Sequence, residues 1–218
     1  MRIDEMGLYV KTTIRGILTA VVAAALLFSS VQVASASPSD TETSTKQDAL
    51  AAIQEIKDTG QLSDAGREAL LAVPELAAQV LDPGVYTVEE TLGPITPSSV
   101  SPMAGGCATQ SFSVSGKTVV GLTAYTFHHS ANLCWNGSSI TSITNRQSWV
   151  TNVTTFMFYR GLVSNTFTGV GQVTGETFAQ GHMENCVGSQ GCIQSDYPWV
   201  RINASGIWGW NGGFTGIG

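Results

Sequence analysis

Charge is scarce in this chain. Only 12% of its 218 residues are Asp, Glu, Lys or Arg, and three more are His. Past residue 100 the acids are Glu176, Glu184 and Asp196, and the bases are Lys117, Arg146, Arg160 and Arg201. Four scattered bases cannot neutralise a run of phosphates, so nucleic acid is not expected as a partner. Three carboxylates and three histidines also leave little material for acid–base catalysis. Cysteine is missing from the first 106 residues and never occurs as Cys-x-x-Cys, which removes the usual zinc patterns. A Gly-x-Ser-x-Gly elbow is absent. The glycine-rich tail from Gly206 to Gly218 lacks the strand–loop–helix setting of a phosphate cradle. No metal or cofactor is expected.

What the chain has is divided unevenly along its length. Lys11 and Arg15 precede an apolar run over 16–28, followed by Ala34-Ser35-Ala36. That is the layout of a secretory signal, and cleavage after Ala36 is expected. Residues 37–92 carry eleven acids against three bases. They open on a polar stretch, 37–46, of linker composition. Apolar residues at helical spacing follow (Ala49, Leu50, Ala52, Ile53, Ile56), with Gly60 placed to stop the helix. Ser63-Asp64 can cap a second helix, and Pro74 suits the first turn of a third. This acidic helical leader is either a pro-segment or a permanent part that docks its apolar faces on the β-domain or on another protein. Asp82-Pro83-Gly84 reads as a turn, Val85–Val88 as a short strand, and 93–106, with three prolines and three glycines, as a flexible linker.

From Cys107 to the end, period-two alternation replaces the helical period. Candidate strands are Ala108–Val114, Thr118–His129, Leu133–Trp135, Ile140–Gln147, Thr154–Leu162, Thr166–Gln172, Glu176–Asn185, Trp199–Ala204 and a short one near Trp208. The expected fold is mainly β, an antiparallel β-sandwich or small barrel preceded by a short α-helical segment. Four cysteines in an exported chain imply two disulfides, and of three connectivities Cys107–Cys134 with Cys186–Cys192 is preferred. Chain entropy assigns them about 3.5 and about 2.5 kcal/mol. The signal ending in Ala-Ser-Ala, the acidic leader, Cys134-Trp135-Asn136-Gly137 and Tyr197-Pro198-Trp199-Val200 together resemble small exported β-rich proteins of actinobacteria. That resemblance implies a secreted protein and brings no established activity with it.

Three functional readings compete. All five tryptophans lie past residue 134. Trp208 and Trp210, two apart and surrounded by glycines, are expected to share an exposed strand face, with Asn211 beside them, and Trp149 is a further candidate. Flat rings beside amides suit sugar rings and their hydroxyls, so a non-enzymatic binding module for glycan or envelope surfaces comes first. A secreted hydrolase comes second. His182 and Glu184, two apart on a strand, face the same way and would need help from Asp196, Glu176 or His128. A membrane-active toxin comes third, on the Ser/Thr-rich apolar alternation of Val150–Leu162, although membrane contact is not the expectation.

Overall fold

A computed structural model describes residues 40–97 and 105–218; the signal segment expected at 1–36 lies outside them. The first described element, α1 (Asp40–Thr59), buries Ala49, Ala52, Ile53 and Ile56 along one stripe. Gly60 closes it at φ 69°, donating its N–H to Ile56 O at 2.8 Å. The stretch 40–46, expected as linker, is helical. Once the Ala49–Ile56 stripe is docked, each residue added at its N-terminal side gains a hydrogen bond without a new nucleation cost. Ser63 caps α2 (Asp64–Leu71) by accepting from Gly66 N–H at 3.1 Å, and α3 (Pro74–Ala77) begins on its proline.

Among the described residues nine strands follow: β1 (Leu81–Pro97), β2 (Gly106–Thr118), β3 (Thr123–Trp135), β4 (Ile140–Thr151), β5 (Met157–Thr168), β6 (Thr174–Cys186), β7 (Cys192–Asp196), β8 (Pro198–Ser205) and β9 (Gly209–Ile217). They form two antiparallel sheets, one ordered β1-β2-β3-β4 and the other β5-β6-β8-β9, with β7 also pairing β6. Met183 faces Asp196 and Gln180 faces Trp199, so three residues separate the partners on both sides. β7 and β8 are therefore one strand in a single register along β6. The fold is a β-sandwich. Phe112, Val114, Tyr125 and Phe127 of the first sheet share a core with Ala179, Met183, Val200 and Ile202 of the second. His129 also lies in this interior. Its Nδ1 is 3.1 Å from Gln147 O, which can only accept, so Nδ1 carries the proton and Nε2 accepts from the Thr177 hydroxyl at 2.9 Å. Burial lowers its pKa to about 4, so the ring is a neutral tie between the sheets.

Both disulfides have the expected partners, Cys107–Cys134 and Cys186–Cys192. The first joins residues directly opposite each other on β2 and β3. The second closes the turn between β6 and β7.

Further local expectations change: Leu133–Trp135 is the end of β3 and not a strand of its own, and the strands expected at Thr154–Leu162 and Thr166–Gln172 are one strand, β5. Asp82-Pro83-Gly84 is an irregularity inside β1 rather than a turn that ends an element, with Gly84 at φ 80° and regular pairing to β2 resuming at Tyr86. Its Asp82 is buried and ion-paired to Arg67, which holds the chain against the helices. The linker expected at 93–106 is strand as far as Pro97, because Ile95–Pro97 pair with Ala108–Gly106. β1 is an edge strand, where a proline need not donate to a ladder. Residues 98–104 lie outside the description. Finally, 118–129 is not one strand: Gly121 at φ 83° donates to Thr118 O at 2.7 Å and turns β2 into β3. The apolar run Val119-Val120-Gly121-Leu122 hid that hairpin.

The helical leader is built into the β-domain. Its buried residues share a core with Val119, Val187 and Ile193, all at one end of the sandwich. Asn185, 1% exposed, clamps the junction. Its Oδ1 accepts from Leu81 N–H at 3.0 Å, and its Nδ2 donates to Gln79 O at 2.9 Å and to Phe156 O at 3.2 Å.

Candidate binding face

Strand alternation in the second sheet sorts its residues cleanly. β6 turns Thr177, Ala179, Met183 and Asn185 inward, which leaves Glu176, Phe178, Gln180, His182 and Glu184 on the outside. β8 turns Val200, Ile202 and Ala204 inward and leaves Trp199, Arg201 and Asn203 outside. Cross-strand register then makes rows: Glu176 with Asn203, Phe178 with Arg201 and Phe214, and Gln180 with Trp199 and Gly216.

Aromatic rings occupy the middle of this face. The Trp199 indole lies across Gly216, where a Cβ would stand 2.9 Å from its ring. Only glycine leaves room for the ring there. Phe178 stacks on Trp199 with centroids 6.2 Å apart, and Arg201 sits 5.6 Å from the Phe178 centroid. Tyr197 and His182 stack at 4.8 Å and 11°. Phe214, opposite Arg201, is 62% exposed. Beside the rings, Thr168, Thr174, Glu176, Asn203 and Asn211 line a polar cleft of about 410 Å³. Glu176 is also 3.3 Å from the Arg201 guanidinium, a partly exposed ion pair. Rings, amides, hydroxyls and one paired carboxylate thus lie side by side on one sheet.

His182 and Glu184 share this outer face, as alternation dictates, but their geometry is not that of a catalytic relay. Glu184 Oε1 is 3.9 Å from His182 Nε2, and Ser195 Oγ is 3.3 Å from the same nitrogen. A relay needs the carboxylate and the nucleophile on opposite ring nitrogens. Glu184 is instead held by Arg160, which donates from Nε at 2.7 Å. None of the residues expected to help converges there. Asp196 faces inward opposite Met183, Glu176 sits at the far end of β6, and His128 belongs to the other sheet. Among the described residues the one grouping of candidate metal ligands is Glu184 with Cys186 and Cys192, and those sulfurs are bonded to each other.

A search of known families, curated proteins and solved structures finds no match to this chain.

Trp149, Trp208 and Trp210 do not form one surface. Trp208 lies in the turn between β8 and β9, not on a strand, and is 67% exposed. Trp210 points inward, with its indole N–H donating to Ala108 O at 2.9 Å across the sandwich. The turn breaks the alternation that would have put them on one face. Trp149 is on the outer face of the first sheet, 38% exposed and stacked on His128 at 4.9 Å and 3°. Burial lowers the His128 pKa there, with Glu89 opposing. Asn211 alone of the four joins the polar cleft. The residues that sequence reasoning missed are Tyr197, Trp199, Phe178, Phe214 and Asn203. The signal was the parity of Glu176-x-Phe178-x-Gln180-x-His182-x-Glu184 and Tyr197-x-Trp199-x-Arg201-x-Asn203, whose alternate positions are the apolar inward set.

A cleft of about 560 Å³ lies between the end of α1 and β7 and includes Lys57, Ser195 and Asp196. Burial pushes the Asp196 carboxyl up to about 6. Both of its oxygens already accept hydrogen bonds, from Tyr125 Oη at 3.1 Å and Gln194 Nε2 at 2.8 Å. This carboxyl belongs to the polar packing of the interior, and the outer face of the second sheet remains the better candidate.

Proposed function

We propose that this chain is a secreted, non-enzymatic module that binds glycan or envelope surfaces through the outer face of its second sheet. The observation that carries the reading is the Trp199 indole laid across Gly216, in a band of rings that runs into the cleft of Glu176, Asn203 and Asn211. Stacking supplies contact area at small conformational cost, and amides and carboxylates beside it direct hydroxyl groups. Two disulfides are compatible with an oxidising compartment, and among the described residues no helix is long and apolar enough to cross a membrane.

Co-sedimentation with insoluble cell-wall peptidoglycan, chitin and cellulose tests this directly. The wild type is expected in the pellet with at least one of them, and Trp199→Ala in the supernatant. Retention of neither protein by any glycan, or equal retention of both, sinks the proposal. The same samples are expected to release no reducing ends, as a hydrolase would, and to leave dye-loaded liposomes intact, as a membrane-active toxin would not.

A further inference from the structure

Resting on that reading of the face, we propose that the ligand is an extended, uncharged glycan chain lying along the strands, with one sugar in the polar cleft and the following sugars on the rings. The features follow one another in strand order. Glu176 and Asn203 come first, then Phe178, Arg201 and Phe214, then Trp199 over Gly216, and finally His182 with Tyr197. Each step is two residues, about 6.7 Å, so the whole run is about 20 Å. That length suits several sugar rings and is far more than one sugar needs. The direction follows from the same register. Across the strands the row of Phe178, Arg201 and Phe214 holds two rings with a guanidinium between them and the row of Gln180, Trp199 and Gly216 holds one, whereas along the strands three successive rows past the cleft each present a ring.

The absence of charge on the ligand follows from the pairing of the cations. Arg201 is engaged by Glu176, and Arg160 by Glu184. An acidic sugar in the cleft would meet the Glu176 carboxylate there, and the arginine nearest to it is already neutralised. What remains for recognition is hydroxyl, amide and ring. A ribbon-like chain can lay successive ring faces on the row of Phe178 and Phe214, on Trp199 and on the His182–Tyr197 pair, and a coiled chain turns its faces away after one contact.

Titration calorimetry of the full chain with cello- and chito-oligosaccharides of one to six units tests this, alongside maltohexaose as a coiled chain and oligogalacturonate as an acidic one. Affinity is expected to rise about tenfold for each ring engaged and to level off once the run is filled. Added salt should leave it unchanged. Trp199→Ala and the more exposed Phe214→Ala should abolish the gain with length while leaving single-sugar binding in place. Asn211→Ala should weaken every length by the same factor. Length-independent affinity, tighter binding of maltohexaose or oligogalacturonate, or an intact gain with length in both ring variants overturns the inference while the face remains a glycan site. Absence of binding to every glycan removes the platform reading as well.

Discussion

Replacing Asn185 by Leu should be strongly destabilising. The side chain is fully enclosed and serves three main-chain groups, Leu81 N–H, Gln79 C=O and Phe156 C=O. Leucine of similar size leaves all three without their partner and opens no large cavity. A buried group stripped of its hydrogen bond costs about 1–3 kcal/mol, and carbonyls sit toward the lower end. The summed expectation is about 4 kcal/mol, against about 5–15 kcal/mol for a whole domain. At a urea slope of about 2 kcal/mol/M, the unfolding midpoint should fall by about 2 M. The assay is urea unfolding of the oxidised protein, followed by far-UV circular dichroism for the helices and by tryptophan fluorescence for the β-domain. In the wild type the two curves should coincide, because helices and sandwich share a core. In Asn185→Leu the helical signal should be lost first. A midpoint shift below about 0.5 M, or curves that still coincide, would refute the view that this amide fastens the leader to the sandwich.

Acid titration separates two buried groups of opposite sign. Folded Asp196 keeps its proton up to about 6, whereas an unfolded Asp releases it near 3.9, so this group makes stability fall as pH rises through that window. Folded His129 loses its proton at about 4, whereas unfolded His loses it near 6.5, so its contribution is complete above that value and is lost as pH falls towards 4. Each is worth on the order of 2–3 kcal/mol, so unfolding free energies of the wild type should vary little between pH 4 and 6. Asp196→Asn should make stability climb with pH there and His129→Gln should make it decline; a flat profile in both variants would contradict the assignment. Gly216→Val should displace the Trp199 indole and weaken glycan retention as much as Trp199→Ala does, with no change in the near-neutral unfolding free energy beyond about 1 kcal/mol. Joint replacement of Cys186 and Cys192 by Ser should cost about 2.5 kcal/mol, read as a lower Tm, through release of the short loop between β6 and β7.

Local chemistry made several features readable without coordinates. Gly60 could stop α1 and Ser63 could cap α2 because such signals act within one turn of chain. The Cys186–Cys192 pairing followed from a short loop that a hairpin brings together. The shared orientation of His182 and Glu184 followed from period two inside one strand. The same rule failed at Trp208 and Trp210, because it holds only within a strand and the first of them sits in a turn. It also failed at Gly121, where one glycine in an apolar run was the whole of the hairpin signal.

By itself the sequence determined the class of the molecule: helices first, paired strands after them, two crosslinks, and an excess of acid confined to the leader. These depend on short-range periods, caps and composition, which act between residues close along the chain. Only the tertiary structure decided which outer face gathers the rings, that Trp210 belongs to the interior, that Trp149 stands on the opposite sheet, and that one asparagine ties the leader to the sandwich. Those outcomes depend on strand order and cross-strand register, which bring together residues more than a hundred positions apart, such as Leu81 and Asn185. Pairing across that distance is chosen by the fit of whole sheets, and no local window of sequence contains it.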